Sequence, residues 1–498
     1  MTTVAFFLLG FALRLGMWLG DKSPWSDEWF SIMLAQKPFV EVVQGAIRDV
    51  HPPLYFILLH AMSFIPGDAL WAFRLWSFLP GVGLLVVLYF LTKEVSERKT
   101  AAGVLFFAAI SPYWLQTANE IRSYSLLSFM TILASFCLVK ASKEPGAARW
   151  MRLYFLTAVL AAYIEHVAWF WLSAATAYLV HLFFKERRAG KLPRFHRWVL
   201  FISAPALLLT VYQAFFGEAF FDFERIREYL PPLIFLKKTV GIFWHFSCGY
   251  TYSMITTEVL KDQLRSSVFF WLSAVTTLSA LFFVGDGFLR LWKARRAEAT
   301  FFATALMLPL VVLGVFYSVR LDARYLSFAA PFYFIFLGLG VSSARPWART
   351  GFLILFTVVN GFGAFRALSS PTDAVHREDY KSMLRRVVQD SGERDAVVGK
   401  RLPVAYYRKA LGWKFKGPYF PEPHDFFIEN RRDFDRVWMM DSVNMHPKVT
   451  DRQLEGTLHK METLGYRLSG NPVLFGGPDA LTRLYIFERE GISNDRRS

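Results

Sequence analysis

The chain has 498 residues, 54% hydrophobic and 17% aromatic against 19% charged, with 51 phenylalanines and a mean hydropathy of +0.30. Those proportions exclude an ordinary soluble globular protein, and apolar runs of about 18–20 residues, the length that crosses a bilayer as helix, recur along most of the sequence. The net charge of +16 does not mark a nucleic-acid binder, because the basic residues sit in short segments between apolar runs and not on one soluble face.

The first run, "VAFFLLGFALRLGMWLG", has no basic n-region and no small-residue cleavage site after it, so it is expected to stay as a helix. "SPWSDEWFSIML", residues 23–34, then sets Asp27 and Glu28 side by side between tryptophans. One reading is a helix start, with Ser26 as N-cap and acids in the first turn. The other is a carboxylate placed to take a proton from a hydroxyl. "DEWFSIMLAQKPFVEVVQGAIRDV" has helical periodicity, and "HPPLYFILLHAMSFIPG", residues 51–67, opens with two prolines that suit a first helical turn. Both are expected to lie at the outer surface as interfacial or re-entrant helices.

Spans are predicted at about 3–20, 71–92, 101–118, 123–140, 153–165, 167–184, 198–216, 267–288, 300–319, 325–343 and 351–368. With these, "KEVSERKT", "KASKEPGAARWMR", "KERRAGKLPRFHR", "RLWKARR" and "ARPWAR" all fall on one side, which the positive-inside rule makes the cytoplasm. The other side receives residues 21–70, 119–122, 165–166, 217–266, 320–324 and the tail. Residues 369–498 are charged and lack a long apolar run. "REDYKSMLRRVVQ" reads as an amphipathic helix, and "DAVVGK", "RVWMMDS" and "TRLYIFERE" read as strands. The expected organisation is a membrane domain over 1–368 and a soluble α/β domain over 369–498. Cys137 and Cys248 have no redox or metal-ligand spacing.

Several polar clusters share the outer level: Asp27-Glu28, His51 before two prolines, Glu120 with Arg122 and Tyr124, Glu165-His166, and Arg320 to Tyr325. Singly each has a plain account: a helix start, an interfacial histidine, snorkelling arginines, or two neighbours too few for a metal site. Together, ionisable groups at one membrane depth point to function. A carboxylate can serve as general base. Arginine forks with tyrosines can hold a phosphate and stabilise it as it leaves.

"WSDEWFSIML", "DVHPPLYFILLH", "FRLWSFLPGV", "SPYWLQTANEIRSYSLL", "AYIEHVAWF" and "DARYLSFAAPFYF", in that order, resemble the GT-C membrane glycosyltransferases of the protein O-mannosyltransferase-like group. That group includes bacterial relatives that glycosylate lipid A, lipopolysaccharide core or protein. The resemblance covers residues 1 to about 370. It implies a GT-C fold of about 11 transmembrane helices with outer interfacial helices, in the bacterial inner membrane, with site and tail facing the periplasm. It implies inverting transfer from a polyprenyl-phosphate sugar to a hydroxyl of a glycolipid, polysaccharide or protein. By that likeness Asp27 is the catalytic base with Glu28 its neighbour, and Arg122, Tyr124, Arg324 and Tyr325 face the donor phosphate. Glu120, His51 and His166 support them. Glu165 departs from the pattern. No cofactor or metal is required for a monophosphate leaving group held by arginines, whereas a pyrophosphate donor would favour a divalent ion. The competing readings are a flippase for lipid-linked sugars and a surface-glycan ligase or polymerase using a lipid pyrophosphate.

Overall fold

The protein is described from a computed structural model, which covers residues 2–49, 51–67, 69–144, 148–185, 232–249, 267–316, 322–370, 379–399, 401–421, 426–427, 434–442, 456–475 and 482–489, with isolated positions between 201 and 211. Helix α1 (Thr2–Leu19) is followed by three short helices, α2 (Ser26–Ala35), α3 (Phe39–Arg48) and α4 (Leu54–Met62). At 1.5 Å per residue α4 is roughly 14 Å long, half of a bilayer core of roughly 30 Å. The stretch 51–67 therefore does not span. Next come α5 (Leu70–Val95), α6 (Arg98–Ile110), α7 (Pro112–Thr117), α8 (Tyr124–Lys143), α9 (Ala148–Ile164) and α10 (Ala168–Lys185). After them come α11 (Pro232–Cys248), α12 (Val268–Ala294), α13 (Arg296–Phe316), α14 (Ala330–Ser343) and α15 (Pro346–Ser369).

Six of the described helices, α1, α5, α8, α12, α13 and α15, are long and apolar enough to cross a membrane. The spans expected at 101–118, 153–165, 167–184 and 325–343 fall on α6 with α7, α9, α10 and α14. The span expected at 198–216 lies mostly outside the described residues. One helix differs from the sequence reading. Residues 217–266 were expected as a single outer stretch, yet 232–248 form α11, which packs on α12 and α7. Lys237 and Lys238 interrupt its apolar run and hide it from hydropathy.

The break between α6 and α7 explains a charge inside α1. Ser111 is extended (φ −65°, ψ 119°), as a residue before proline must be. Pro112 has no N–H, so the carbonyl of Ala108 has no helical donor four residues on. Arg14 supplies one. Its Nη2 donates to Ala108 O (3.1 Å), and its Nη1 donates to Ala109 O (3.3 Å) and Gly10 O (3.0 Å). A buried guanidinium thus caps a broken helix.

Helices α12 and α14 meet backbone to backbone. A Cβ on Gly340 would lie 2.0 Å from Phe283 O, and one on Gly287 would lie 1.9 Å from Phe336 O. Small residues permit such an approach between membrane helices.

The tail is a three-layer α/β domain. It comprises α16 (Tyr380–Asp390), β1 (Asp395–Val398), α17 (Arg401–Leu411), β2 (Tyr419–Phe420), β3 (Arg436–Ser442), a helix over 456–463, β4 (Tyr466–Leu468), β5 (Val473–Phe475) and β6 (Thr482–Arg489). The sheet order is β2-β1-β3-β6-β4, with β5 also paired to β6. β1 is parallel to β2 and β3, and β6 is antiparallel to β3, β4 and β5. Strand alternation turns Val397, Trp438, Met440 and Leu484 toward the layer of α16 and α17. Val398, Val437, Met439 and Phe487 face a second core with Phe426 and Met461. Asp395 ties the start of β1 to β3, accepting from Arg436 Nη2 (2.9 Å) and Trp438 Nε1 (2.9 Å).

This domain seats on the segment that follows α1 and on α2. Lys381 Nζ meets Asp21 Oδ1 at 2.6 Å, and Trp29 of α2 packs against the rings of Tyr406 (5.1 Å) and Tyr407 (5.3 Å). Lys22 Nζ donates to the carbonyls of Ala367 (2.6 Å) and Ser370 (2.5 Å), clamping the end of α1 to the end of α15. The soluble domain and the short helices α2–α4 therefore occupy one end of the bundle, and the α5–α6 connection occupies the other.

Gly340→Leu should destabilise the membrane domain by about 1–3 kcal/mol or more through overpacking, whereas Gly285→Ala, with open space at its Cβ, should be neutral. Thermal unfolding in detergent checks this. Equal midpoints for the two variants would contradict the backbone contact.

Candidate active site

The site begins at the start of α2. Trp25, not Ser26, occupies the N-cap, in extended conformation (φ −96°, ψ 176°). Ser26 is the first helical residue and so is not the cap. Glu28, at the third helical position, reaches back to the N-cap: its Oε2 accepts from Trp25 N at 3.1 Å. Its other oxygen, Oε1, accepts from Ile121 N at 2.6 Å. Glu28 is buried, and both its oxygens hold backbone, bolting α2 to the turn before α8. Asp27 is only half-buried. Among the described residues nothing hydrogen-bonds its carboxylate, and it stabilises the positive charge of Arg122. One turn on, Ser31 Oγ donates to Asp27 O (2.9 Å) and accepts from Arg122 Nη1 (3.3 Å).

Arg122 is the centre of the cluster. The turn that carries it is held by Ser77, whose hydroxyl lies against the carbonyls of Glu120 and Arg122. Glu120 itself is buried in that turn. Arg122 Nη2 lies 3.5 Å from His51 Nε2. The same Nε2 lies 3.7 Å from Asp49 Oδ2. Nδ1 faces Glu165 Oε1 at 3.6 Å. The Arg122 guanidinium stands 5.7 Å from the Tyr124 ring centroid, and Tyr124 meets Tyr325 edge-on at 6.1 Å. Burial disfavours the guanidinium's charge, but Tyr124, Asp27 and Glu165 more than reverse this, so it stays cationic. The Nε of Arg122 and the hydroxyl of Tyr124 are buried and have no hydrogen-bond partner among the described residues.

Glu165 lies in the turn between α9 and α10. Burial pushes its carboxyl up, but His51, the Ser123 hydroxyl at 2.5 Å and Arg122 hold it down at about 2. His166 follows it and is half-buried; the links to His51 and Ser123 run through Glu165. On the far side, Asp322 Oδ1 accepts from Arg324 N (2.9 Å) and Nε (3.3 Å). Burial raises the Asp322 carboxyl, and Arg324 brings it below the ordinary aspartate range. The Arg324 guanidinium stacks 5.1 Å from the Trp25 ring. Tyr113 Oη donates to Ala323 O (2.8 Å) and Ser327 Oγ to Tyr124 O (3.2 Å), pinning this segment to α7 and to the start of α8.

The structure thus gathers Asp27, Glu28, His51, Glu120, Arg122, Tyr124, Arg324 and Tyr325 at one end of the bundle. The hydrogen-bonding residues Ser31, Ser77, Ser123 and Tyr113 had no sequence signal. Asp322 had one, an acid two residues before Arg324. Among the described residues no group of three or more His, Cys, Asp and Glu side chains could hold a metal ion.

No protein-family profile matches the sequence, and no curated protein matches it either. The fold has clear neighbours. The Archaeoglobus fulgidus oligosaccharyltransferase, in a complex with Zn and sulfate, superposes with a TM-score of 0.52 at 15% identity, over 97% of this chain and 73% of its own. The same enzyme tethered to an acceptor peptide containing the NVT sequon gives 0.51 at 13% identity, over 97% of this chain and 74% of its own. ArnT from Cupriavidus metallidurans, bound to undecaprenyl phosphate, gives 0.51 at 13% identity, over 97% of each chain. These neighbours are GT-C glycosyltransferases, and the chain has the GT-C fold.

Glu165 links stability to acid. Its folded carboxyl titrates near 2 against an ordinary value of 4.5, so its stabilisation is complete above the ordinary value and is lost as pH falls through the folded one. Glu165→Gln should lower the unfolding midpoint at pH 7, and the gap to the parent should close between about pH 4.5 and pH 2. A gap that stays constant over that range would contradict the His51–Glu165–Ser123 linkage.

Proposed function

We propose that this protein is an inverting glycosyltransferase that moves a sugar from a polyprenyl-phosphate donor to an acceptor hydroxyl at the outer face of a bacterial inner membrane. One observation carries the reading. Within a GT-C fold, Asp27 keeps a carboxylate that no described residue hydrogen-bonds, beside a buried arginine whose Nε–H has no acceptor among the described residues. Buried polar groups in folded proteins are paired, so an unpaired donor and an adjacent carboxylate suit a substrate that brings both an anion and a hydroxyl. The undecaprenyl phosphate bound to ArnT and the acceptor peptide tethered to the archaeal enzyme support a lipid-linked donor and a separate acceptor.

In this mechanism Asp27 takes the proton of the acceptor hydroxyl while that oxygen attacks the anomeric carbon. A new C–O bond forms as the bond from that carbon to the phosphate oxygen breaks. Polyprenyl phosphate departs on the opposite face with the bonding pair, so the configuration inverts. Arg122, Tyr124 and Arg324 stabilise the departing charge. Glu28 serves as the strut that fixes Asp27, because its oxygens are committed to backbone. The acceptor is a glycolipid, polysaccharide or protein reaching the site beside the docked soluble domain.

Asp27→Asn keeps the side chain's shape and removes the base. Mass spectrometry of envelope lipids and proteins, at equal expression, should show loss of one sugar mass; unchanged glycosylation would remove Asp27 from the role. Arg324→Ala should weaken undecaprenyl phosphate binding to purified protein by roughly tenfold or more, as expected for a charge-assisted contact of about 1.5–3 kcal/mol. Unchanged affinity would put the phosphate elsewhere.

A further inference from the structure

At the end of the bundle opposite the candidate active site, a cavity of about 1340 Å³ opens between the start of α1, the α5–α6 connection, the end of α14 and the start of α15. Nothing in the glycosyltransfer reading uses it. Its inner wall is apolar: Phe6 and Phe106, whose rings lie 5.0 Å apart, with Leu339 and Leu353. Its rim carries Arg98, Lys99, Arg290 and Arg349, against one lining carboxylate, Glu97. Arg290 is committed to Asp286 at 2.6 Å. Arg98, Lys99 and Arg349 are exposed and have no ion pair among the described residues. The rim also includes the first turn of α6, whose free N–H groups and helix dipole favour an anion. Ser96, Thr100 and Ser342 add hydroxyls.

Those two halves define a ligand. The cations and hydroxyls suit a phosphate. The aromatic and aliphatic wall beneath them suits a hydrocarbon chain. The volume exceeds the roughly 300–1,000 Å³ of pockets for drug-sized molecules. This end also bears the short basic segments that the positive-inside rule assigns to the cytoplasm, and basic pockets between membrane helices on that side are built to take anionic lipid head groups. We propose that this cavity binds an anionic diacylphospholipid of the cytoplasmic leaflet, its phosphate on Arg98, Lys99 and Arg349 and an acyl chain against Phe6 and Phe106. The site is separate from the donor site in position and in leaflet, so it stands whether or not Asp27 is a base.

The test is native mass spectrometry of the purified full chain, delipidated and then offered phosphatidylglycerol and phosphatidylcholine of equal chain length. The parent should retain phosphatidylglycerol preferentially. Combining Arg98→Gln, Lys99→Gln and Arg349→Gln should cost roughly fivefold in that preference per cation removed, with an unchanged unfolding midpoint because all three are exposed. Arg149→Gln, Arg152→Gln and Lys293→Gln together remove three exposed cations from outside the cavity and should leave the preference intact. Gly103 lines the cavity with open space at its Cβ, so Gly103→Leu should expel the lipid with the rim unchanged. Equal retention of both lipids by the parent, or equal loss in the two triple variants, would overturn the proposal. Displacement of phosphatidylglycerol by millimolar inorganic phosphate alone would also overturn it, marking a site for free phosphate.

Discussion

The arrangement at the end of the bundle that carries α2–α4 rests on keeping one guanidinium charged and buried. A cation taken out of water must be matched by partners or it destabilises the fold by several kcal/mol. Arg122 finds partners on four other pieces of chain, Ser31 and Asp27 on α2, His51 before α4, Glu165 between α9 and α10, and Tyr325 in the 322–329 segment, besides its own neighbour Tyr124. Because each partner satisfies part of one charge, the short helices α2–α4 cannot drift from the bundle without exposing that deficit. Satisfying the guanidinium and assembling the site are the same event.

Two kinds of carboxylate result from that packing. Glu28, Glu165 and Asp322 are each held by named donors, backbone N–H groups or hydroxyl and arginine neighbours, and serve the architecture. Asp27 is half-exposed, and no described residue hydrogen-bonds its carboxylate. Adjacent acids in sequence thus diverge in role because successive helical positions point about 100° apart, one into the turn before α8 and the other to a half-exposed position. The soluble domain completes the enclosure. Its tyrosines pack on Trp29, the inward face of α2, so movement of the tail would be felt at the helix that carries Asp27.

Much of this was legible in the sequence where a strong local signal existed. Pro52 and Pro53 before a short apolar run marked α4 as non-spanning. Alternation in "RVWMMDS" and "TRLYIFERE" marked β3 and β6. The polar clusters were visible because ionisable residues are rare at the edge of apolar runs. Other features had no local signal. The difference between Asp27 and Glu28 depends on Ile121 N, 93 positions away. Arg14 reads as an isolated charge until the missing N–H of Pro112 is seen across the bundle. Helix α11 was concealed by two lysines in its middle, and Ser26 lost the cap position because the helix takes in Ser26 as its first residue, with Trp25 at the N-cap.

The central claim is that the Arg122 cluster receives a lipid phosphate next to Asp27. A cryo-electron microscopy structure of the full chain in a nanodisc with undecaprenyl phosphate tests it most directly. The account predicts phosphate density within hydrogen-bonding reach of Arg122 Nε, Tyr124 Oη or Arg324, with the lipid chain leaving between membrane helices and the Asp27 carboxylate facing the open side of the phosphate. Phosphate density bound elsewhere, with the Arg122 cluster unchanged and closed, would contradict it.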